Sequence, residues 1–179
     1  MGVRGLGFAM LKVDLGRLDR EGTYLVEAQV PADDALWQDS GIAWDGPVDV
    51  RLRASYAGTG QVVVRGRVSG TLAQECRRCL RPVKGEFDEE VTLVFDADAT
   101  EEEPDGGEAF AFDPSSRNLD LSEAVRGEVI LAMNPYVVCE PDCRGLCPRC
   151  GANLNEGPCG CSADEIDPRW EALRSLKDR

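Results

Sequence analysis

Apolar and polar residues alternate with a period of two along three stretches of the chain, residues 48–56, 62–72 and 87–95. Such alternation predicts strands that bury one face of a sheet. Gly58-Thr59-Gly60 supplies a turn between the first two stretches, which therefore form an antiparallel hairpin. Shorter strand candidates lie at residues 12–15 and 24–30, so the pattern predicts a mainly antiparallel sheet.

Helical periodicity appears only in the second half of the chain. Asp120, followed three residues later by Glu123, forms a capping pair that predicts a helix running to about Met133 and packing across the sheet. Near the end of the chain, Asp167-Pro168 predicts the start of a short terminal helix. Ile166, Trp170 and Leu173 recur there at spacings of four and three residues, as on one helix face.

Charge and composition narrow the possible functions. No apolar run approaches the roughly 18 residues of a membrane span, and the first twenty residues lack the apolar core of a signal peptide. We therefore expect a cytoplasmic protein with no membrane partner. The chain contains no histidine, which removes every catalytic arrangement built on imidazole. We expect no enzymatic activity and no small-molecule substrate.

Eight cysteines are the strongest chemical signal, because thiols in a reducing compartment more often bind metal than form disulfides. They are Cys76, Cys79, Cys139, Cys143, Cys147, Cys150, Cys159 and Cys161. The spacing of Cys147 and Cys150, followed by glycine, lets two thiolates reach one ion. Four thiolates with no open position indicate structural zinc, in one or two ions per chain. An isolated CxxC such as Cys76 to Cys79 is also compatible with two buried small residues or a redox pair.

The sequence leaves the grouping of these cysteines open. The last four can close one local site, which leaves Cys76, Cys79, Cys139 and Cys143 to join the sheet to the tail. An equally valid partition places residues 139–150 around one ion and the outer pairs around another. A third possibility is that only one site binds metal.

Together these patterns predict the α+β class: a mainly antiparallel β-sheet with one packing helix, a C-terminal cysteine-rich zinc module and a short terminal helix. We expect a sheet domain over residues 10–135 and a zinc-binding tail over residues 136–179. Seven acidic residues and no basic one between residues 96 and 108 predict a disordered acidic loop within the first domain.

Basic residues are concentrated in one part of this acidic chain, whose formal net charge is −13. Residues 48–84 hold eight basic residues against two acidic ones. The basic residues are Arg51, Arg53, Arg65, Arg67, Arg77, Arg78, Arg81 and Lys84. Such segregation is what allows an acidic protein to bind a polyanion. The candidate contacts to RNA or to a protein partner are six of them, Arg65, Arg67, Arg77, Arg78, Arg81 and Lys84.

Two interpretations of Arg65 and Arg67 remain open. Both project from one strand face, next to Arg51 and Arg53, and RNA phosphate would neutralise them. Alternatively, Glu86, Asp88 and Glu90 on the next strand pair with them locally. For Arg77, Arg78, Arg81 and the nearby Lys84, an exposed connection between strands favours a partner, and replacing these arginines is expected to leave thermal stability almost unchanged.

Three segments resemble the YceD-like family of large ribosomal RNA subunit accumulation proteins. They are residues 75–82 (ECRRCLRP), 142–155 (DCRGLCPRCGANLN) and 167–170 (DPRW). The resemblance implies a non-catalytic role in accumulation of large-subunit (23S) ribosomal RNA and in large-subunit assembly. It implies as partner the large-subunit ribosomal RNA or a large-subunit precursor, contacted directly or through a ribosomal protein.

The cysteines also suggest functions of another class. In the main alternative, the protein is a zinc and thiol redox switch or holdase, in which oxidation expels zinc and exposes apolar surface. A disulfide oxidoreductase using Cys76 and Cys79 is less favoured, because that pair lies between strands and not at a helix N-terminus.

Overall fold

The structure, a computed structural model, describes residues 11–58, 60–99 and 109–161. Its elements in chain order are β1 (Lys12–Asp14), α1 (Leu15–Glu21), β2 (Thr23–Val30), a 3-10 turn (Ala35–Trp37), β3 (Val48–Tyr56), β4 (Gln61–Glu75), β5 (Pro82–Asp96), β6 (Ala109–Ala111), β7 (Asn118–Asp120) and α2 (Ser122–Ala132). The predicted terminal helix and residues 100–108 of the predicted acidic loop lie outside the described residues.

Five strands form the main sheet in the order β2-β3-β4-β5-β6, and every pair except the last is antiparallel. The predicted hairpin is therefore confirmed, with Val50 opposite Val68. The third predicted strand follows it, with Leu93 opposite Val64. The short parallel strand β6 at the edge and the separate β1–β7 pair were not predicted.

The core lies on one face of the main sheet, as the period of two requires. Its largest fully buried side chains are Leu11, Leu18, Leu93, Leu121, Val13, Val30, Val48, Val50, Val62, Val64, Val68 and Val125. Helix α2 covers this face with Ala124, Val125 and Val129. The prediction of an α+β fold with a helix packed on a mainly antiparallel sheet is confirmed.

The helices differ in detail from the prediction. Helix α1 was not predicted: the Asp14 carboxylate accepts a hydrogen bond from the Arg17 amide (2.8 Å), and Gly22 in the left-handed region ends the helix. The predicted cap of α2 at Asp120 is wrong, because the fully buried Leu121 occupies the N-cap position. Asp120 instead accepts from the Ser122 amide (2.9 Å) in a local turn. The predicted stop at Met133 is confirmed.

Strands β3 and β4 approach each other closely at Gly66. A Cβ atom at this position would lie 2.0 Å from the Arg51 carbonyl oxygen and 2.8 Å from the Leu52 Cα. Glycine is therefore a packing requirement in the middle of β4. Gly66 is flanked along β4 by Arg65 and Arg67, whose side chains face away from the core.

Among the described residues, no helix has both the length and the apolar character needed to cross a membrane.

Candidate metal centres

The first cysteine cluster joins the sheet to the chain that follows α2. The sulfurs of Cys76, Cys79, Cys139 and Cys143 all lie within 4.8 Å of one another. Cys76 follows the end of β4, and Cys79 lies shortly before β5. Within the cluster, Cys76 Sγ is 3.8 Å from Cys143 Sγ, and Cys79 Sγ is 3.6 Å from Cys139 Sγ. We call this cluster the first centre, and it can hold a metal ion.

The second centre is local in the chain and more open to solvent. Its members are Cys147, Cys150, Cys159 and Cys161, whose sulfurs also lie within 4.8 Å of one another. Cys147 is buried, whereas Cys150 and Cys161 are exposed. The structure thus groups the eight cysteines in the first of the two partitions considered from the sequence, and either cluster can hold a metal ion.

Both CxxC turns have the same backbone hydrogen bonds. In the first centre, Cys76 N donates to Arg81 O (2.9 Å) and Leu80 N donates to Cys76 O (2.9 Å). In the second, Cys147 N donates to Ala152 O (2.8 Å) and Gly151 N donates to Cys147 O (2.9 Å). The residue after the second cysteine is left-handed in both turns. It is Gly151 (φ 72°) in one and Leu80 (φ 60°) in the other.

Backbone amides aimed at the sulfurs favour thiolates, the form that binds metal. Burial of the Cys76 thiol raises its pKa, but hydrogen bonds from the amides of Cys79, Cys139 and Arg78 outweigh burial and lower the pKa to about 5. The amides of Cys150 and Arg149 lower the pKa of Cys147 to about 6. In each centre, backbone amides therefore favour the thiolate form of one cysteine.

The β4–β5 connection (residues 76–81) is bonded to the tail (residues 136–161) through its arginines. Arg77 N donates to Val137 O (2.9 Å), and Leu146 N donates to Arg78 O (3.1 Å). The Arg78 guanidinium donates to the Cys143 carbonyl (2.9 Å), which fixes a ligand segment of the first centre. Arg78 is therefore bonded to the tail and not free at an exposed connection, so we expect its replacement to lower stability.

Sequence reasoning also missed two tail residues that support the first centre. Asn155 donates through Nδ2 to Cys143 Sγ (3.4 Å), and its Oδ1 accepts from the Arg144 amide (2.7 Å). Gly145 is left-handed (φ 73°), and a Cβ atom there would lie 3.0 Å from the Arg78 carbonyl oxygen. Both residues lie in the segment that carried the family resemblance, where only the cysteines were given a role.

Most of the predicted contact side chains have partners within the chain. Arg67 pairs with Asp88 and Glu90, both at 2.8 Å, as the local interpretation requires. At the connection, Arg77 Nε donates to Pro135 O (2.6 Å). Two further ion pairs join Arg81 to Glu140 and Lys84 to Asp45.

Arg65 is different. It lies directly opposite Arg53 on β3 and Thr92 on β5, and within the described ranges it has no ion-pair partner. Both arginines are exposed and line a shallow depression together with Ser55, Ala57 and Val63.

These observations define a class of protein: a mainly antiparallel sheet whose tail is attached through a four-cysteine cluster and carries a second one. The chain belongs to the family described as large ribosomal RNA subunit accumulation protein YceD, whose model matches residues 64–177. The match covers both centres. The family resemblance inferred from the sequence is thereby confirmed.

Relatives of this chain extend beyond bacteria. An uncharacterized protein of Mycobacterium tuberculosis is 36% identical over 131 residues, which are 70% of this chain and 60% of the relative. A chloroplastic YCED homolog 1 of Arabidopsis thaliana, named as a large ribosomal RNA subunit accumulation protein, is 34% identical over 68 residues, 38% of this chain and 21% of the relative. The chain thus spans only about 60% of the mycobacterial relative. No solved structure matches it.

Proposed function

We propose that this protein is a non-catalytic ribosome-biogenesis factor of the cytoplasm, which promotes accumulation of 23S ribosomal RNA and assembly of the large subunit. The observation that carries the proposal is family membership, with a matched region that spans both cysteine centres. The family name supports a role in ribosomal RNA accumulation and describes no enzymatic activity.

Zinc is the metal that we propose for both centres. With a Zn–S bond of about 2.3 Å, a tetrahedral site places two sulfurs about 3.8 Å apart. The sulfur separations of 3.8 and 3.6 Å in the first centre fit this geometry. Four thiolates leave no coordination position for water or substrate, so the role of each ion is structural.

For direct contact with RNA, we propose Arg65 together with Arg67, Arg77, Arg78, Arg81 and Lys84. A guanidinium has five N–H donors, so an arginine bonded within the chain keeps donors for a phosphate. Arg65 is the most available of the six, because Arg53 opposite it is also cationic and neither has an acidic partner in the described ranges. Two guanidinium groups side by side favour a phosphodiester between them.

A salt series tests this contact. Tagged protein is sedimented with large-subunit precursors at increasing salt, as wild type and as the Arg53→Glu, Arg65→Glu double variant. Loss of the phosphodiester held between these two guanidinium groups should flatten the dependence of log K on log salt by about 0.7–0.9 units. The control is Arg20→Glu, which reverses the charge of an exposed arginine on α1, outside strands β3 and β4.

Complementation tests the function itself. A strain lacking the gene should recover its ratio of 23S to 16S ribosomal RNA with the wild-type chain. In the salt series, a double variant that still associates with the precursors and keeps the wild-type salt slope would mean that the protein contacts a ribosomal protein and not RNA. Failure of the wild-type chain to restore 23S ribosomal RNA would overturn the proposed function.

A further inference from the structure

Two arginines stand side by side on the outer face of the main sheet, with an uncharged residue on each side. Arg53 on β3 lies directly opposite Arg65 on β4, and both are exposed. The row that they share continues to Leu25 on β2 and to Thr92 on β5. Glu27, the acid on the same face of β2, lies one row further along. Nothing within the row therefore neutralises the two guanidinium groups.

The acids of the neighbouring strand β5 bind a different arginine. Asp88 and Glu90 both pair with Arg67, each at 2.8 Å. Within the part of the chain that the structure describes, Arg53 and Arg65 have no ion-pair partner and keep their N–H donors for a ligand. Two adjacent cations with unused donors attract an anion, and the fork of a guanidinium matches the paired oxygens of a phosphate.

The depression beside the two arginines has a volume of about 350 Å³ and a different chemistry. Ser55 and Val63 lie opposite each other along it, and Ala57 completes the lining. All three are half-buried. Successive rows on one face of a sheet are about 6.8 Å apart, so the apolar row begins one side-chain spacing from the guanidinium groups. Methyl groups with one hydroxyl, next to two cations, suit a flat ring that carries polar groups on its edge.

The two rows together discriminate among anions. An inorganic phosphate would use the arginines alone and leave the apolar row in water. An RNA double helix also presents phosphates, but its bases stay stacked and paired inside it, out of reach of a depression in a sheet. An unpaired nucleotide fills both rows, because its phosphate can lie between the guanidinium groups while its base lies over Val63. The ligand that fits is therefore a nucleotide of a single strand.

We propose that this face of the sheet binds single-stranded RNA, with one unpaired nucleotide in the depression. The base lies on Val63 and Ala57 and stacks against a guanidinium, while the Ser55 hydroxyl bonds to its edge. The phosphate lies between Arg53 and Arg65. The inference rests on the proposed contact with RNA and adds the class of RNA, a loop, bulge or end, because only there can a base leave the stack.

Two RNA probes distinguish this mode from attraction to phosphate alone. The whole chain is titrated into a short labelled oligouridine and into a blunt RNA duplex of the same length, at one salt concentration, and fluorescence anisotropy gives each Kd. The duplex carries twice as many phosphates in the same number of residues, so a surface that recognises charge alone binds it at least as tightly. A site for an unpaired base should instead bind the single strand about tenfold more tightly.

The Ser55→Ile variant tests the depression without changing the charge. Isoleucine suits a strand and fills the space assigned to the base, so the affinity for oligouridine should fall about fivefold while the affinity for the duplex stays the same. The matched control is Ser69→Ile, which makes the same substitution at another half-buried serine, on β4 and away from the depression. Circular dichroism melts of both variants establish that each is folded.

Three results would overturn the inference: duplex binding as tight as single-strand binding, wild-type affinity of Ser55→Ile for oligouridine, or no binding of either probe. The salt series and complementation report separately on the proposed function. If the Arg53→Glu, Arg65→Glu double variant loses salt dependence on precursors while oligouridine has no advantage over duplex, the arginines contact phosphate and the inference alone fails. If the single-strand preference and the Ser55 effect hold but the wild-type chain does not restore 23S ribosomal RNA, the proposed function fails and the RNA site stands.

Discussion

Gly66 lies where β4 approaches the backbone of β3 too closely for any side chain. We expect Gly66→Ala to destabilise the protein by about 1–3 kcal/mol, because the new Cβ forces apart two strands in the middle of the sheet. Urea unfolding followed by circular dichroism measures this change.

A second glycine supplies the control. Gly127 lies inside α2, and a Cβ atom there would meet nothing within 4 Å. Gly127→Ala should therefore stabilise by about 0.5–1 kcal/mol, since alanine has the higher helix propensity. Equal effects of the two substitutions would mean that the close approach at Gly66 relaxes without cost.

Arg78 and Arg149 occupy the same position in the two CxxC turns. Among the described residues, Arg78 is the one of the two whose guanidinium donates to backbone carbonyls, those of Cys143 (2.9 Å) and Pro141 (3.4 Å). Arg78→Ala should weaken attachment of the tail by about 1 kcal/mol. The expected result is about fivefold faster zinc release to a chromophoric chelator. Arg149→Ala should change the rate little, and similar rates for both variants would show that the bonds of Arg78 do not stabilise the first centre.

At the scale of elements, period-two alternation located β3, β4 and β5 because each buries one face over many residues. It could not locate β6, because three residues are too few to show an alternating pattern. Their parallel pairing with the end of β5, with Ala109 opposite Val94, is not encoded in the local sequence. Helix α1 was not predicted, because its seven residues bury only Leu15 and Leu18, too few to show a helical period. The grouping of the cysteines depends on where the tail docks, which spacing alone does not encode.

The two centres anchor different segments of the tail, and two double variants should distinguish their effects. Loss of Cys147 and Cys150 removes two ligands of the second centre only. The first centre, however, holds Cys139 and Cys143 independently. We therefore expect Cys147→Ser with Cys150→Ser to remove one zinc ion and raise amide exchange only over residues 144–161.

The complementary variant, Cys76→Ser with Cys79→Ser, should release the whole tail from the sheet. Exchange should then rise over residues 136–143 as well, while the second centre keeps its ion because all four of its ligands remain. Elemental analysis and amide exchange give the two readouts. If both double variants freed the same residues, the centres would form one cooperative unit.

Considered as a whole, the molecule presents its thiols unevenly to solvent. Cys76, Cys79 and Cys143 are buried, whereas Cys150 and Cys161 are exposed. Because peroxide reaches exposed thiols first, limited peroxide should modify Cys150 or Cys161 first and release one zinc ion before the other. Mass spectrometry of modified peptides, collected alongside zinc release, measures the order.

The same experiment bears on the redox-switch hypothesis. If oxidation stops at the second centre, the sheet and its attachment remain intact, and little new apolar surface is exposed for a holdase to use. Strong suppression of client aggregation by the oxidised protein, with Cys76 or Cys79 modified first, would favour a redox switch over the proposed function.

The unequal chain separation of the two ligand sets also determines when each can form during synthesis. The second centre needs only residues 147–161, so it can capture its ion as soon as this short segment leaves the ribosomal exit tunnel. The first must close a loop in which Cys79 and Cys139 are 60 residues apart. Loop entropy alone makes that closure about 1 kcal/mol more costly. Synthesis runs from the N-terminus, so the hairpin and the ligands of the first centre leave the tunnel before residues 147–161 do. Order of emergence therefore favours the first centre, whereas closure cost favours the second, and metal acquisition at the first centre should report completion of the sheet.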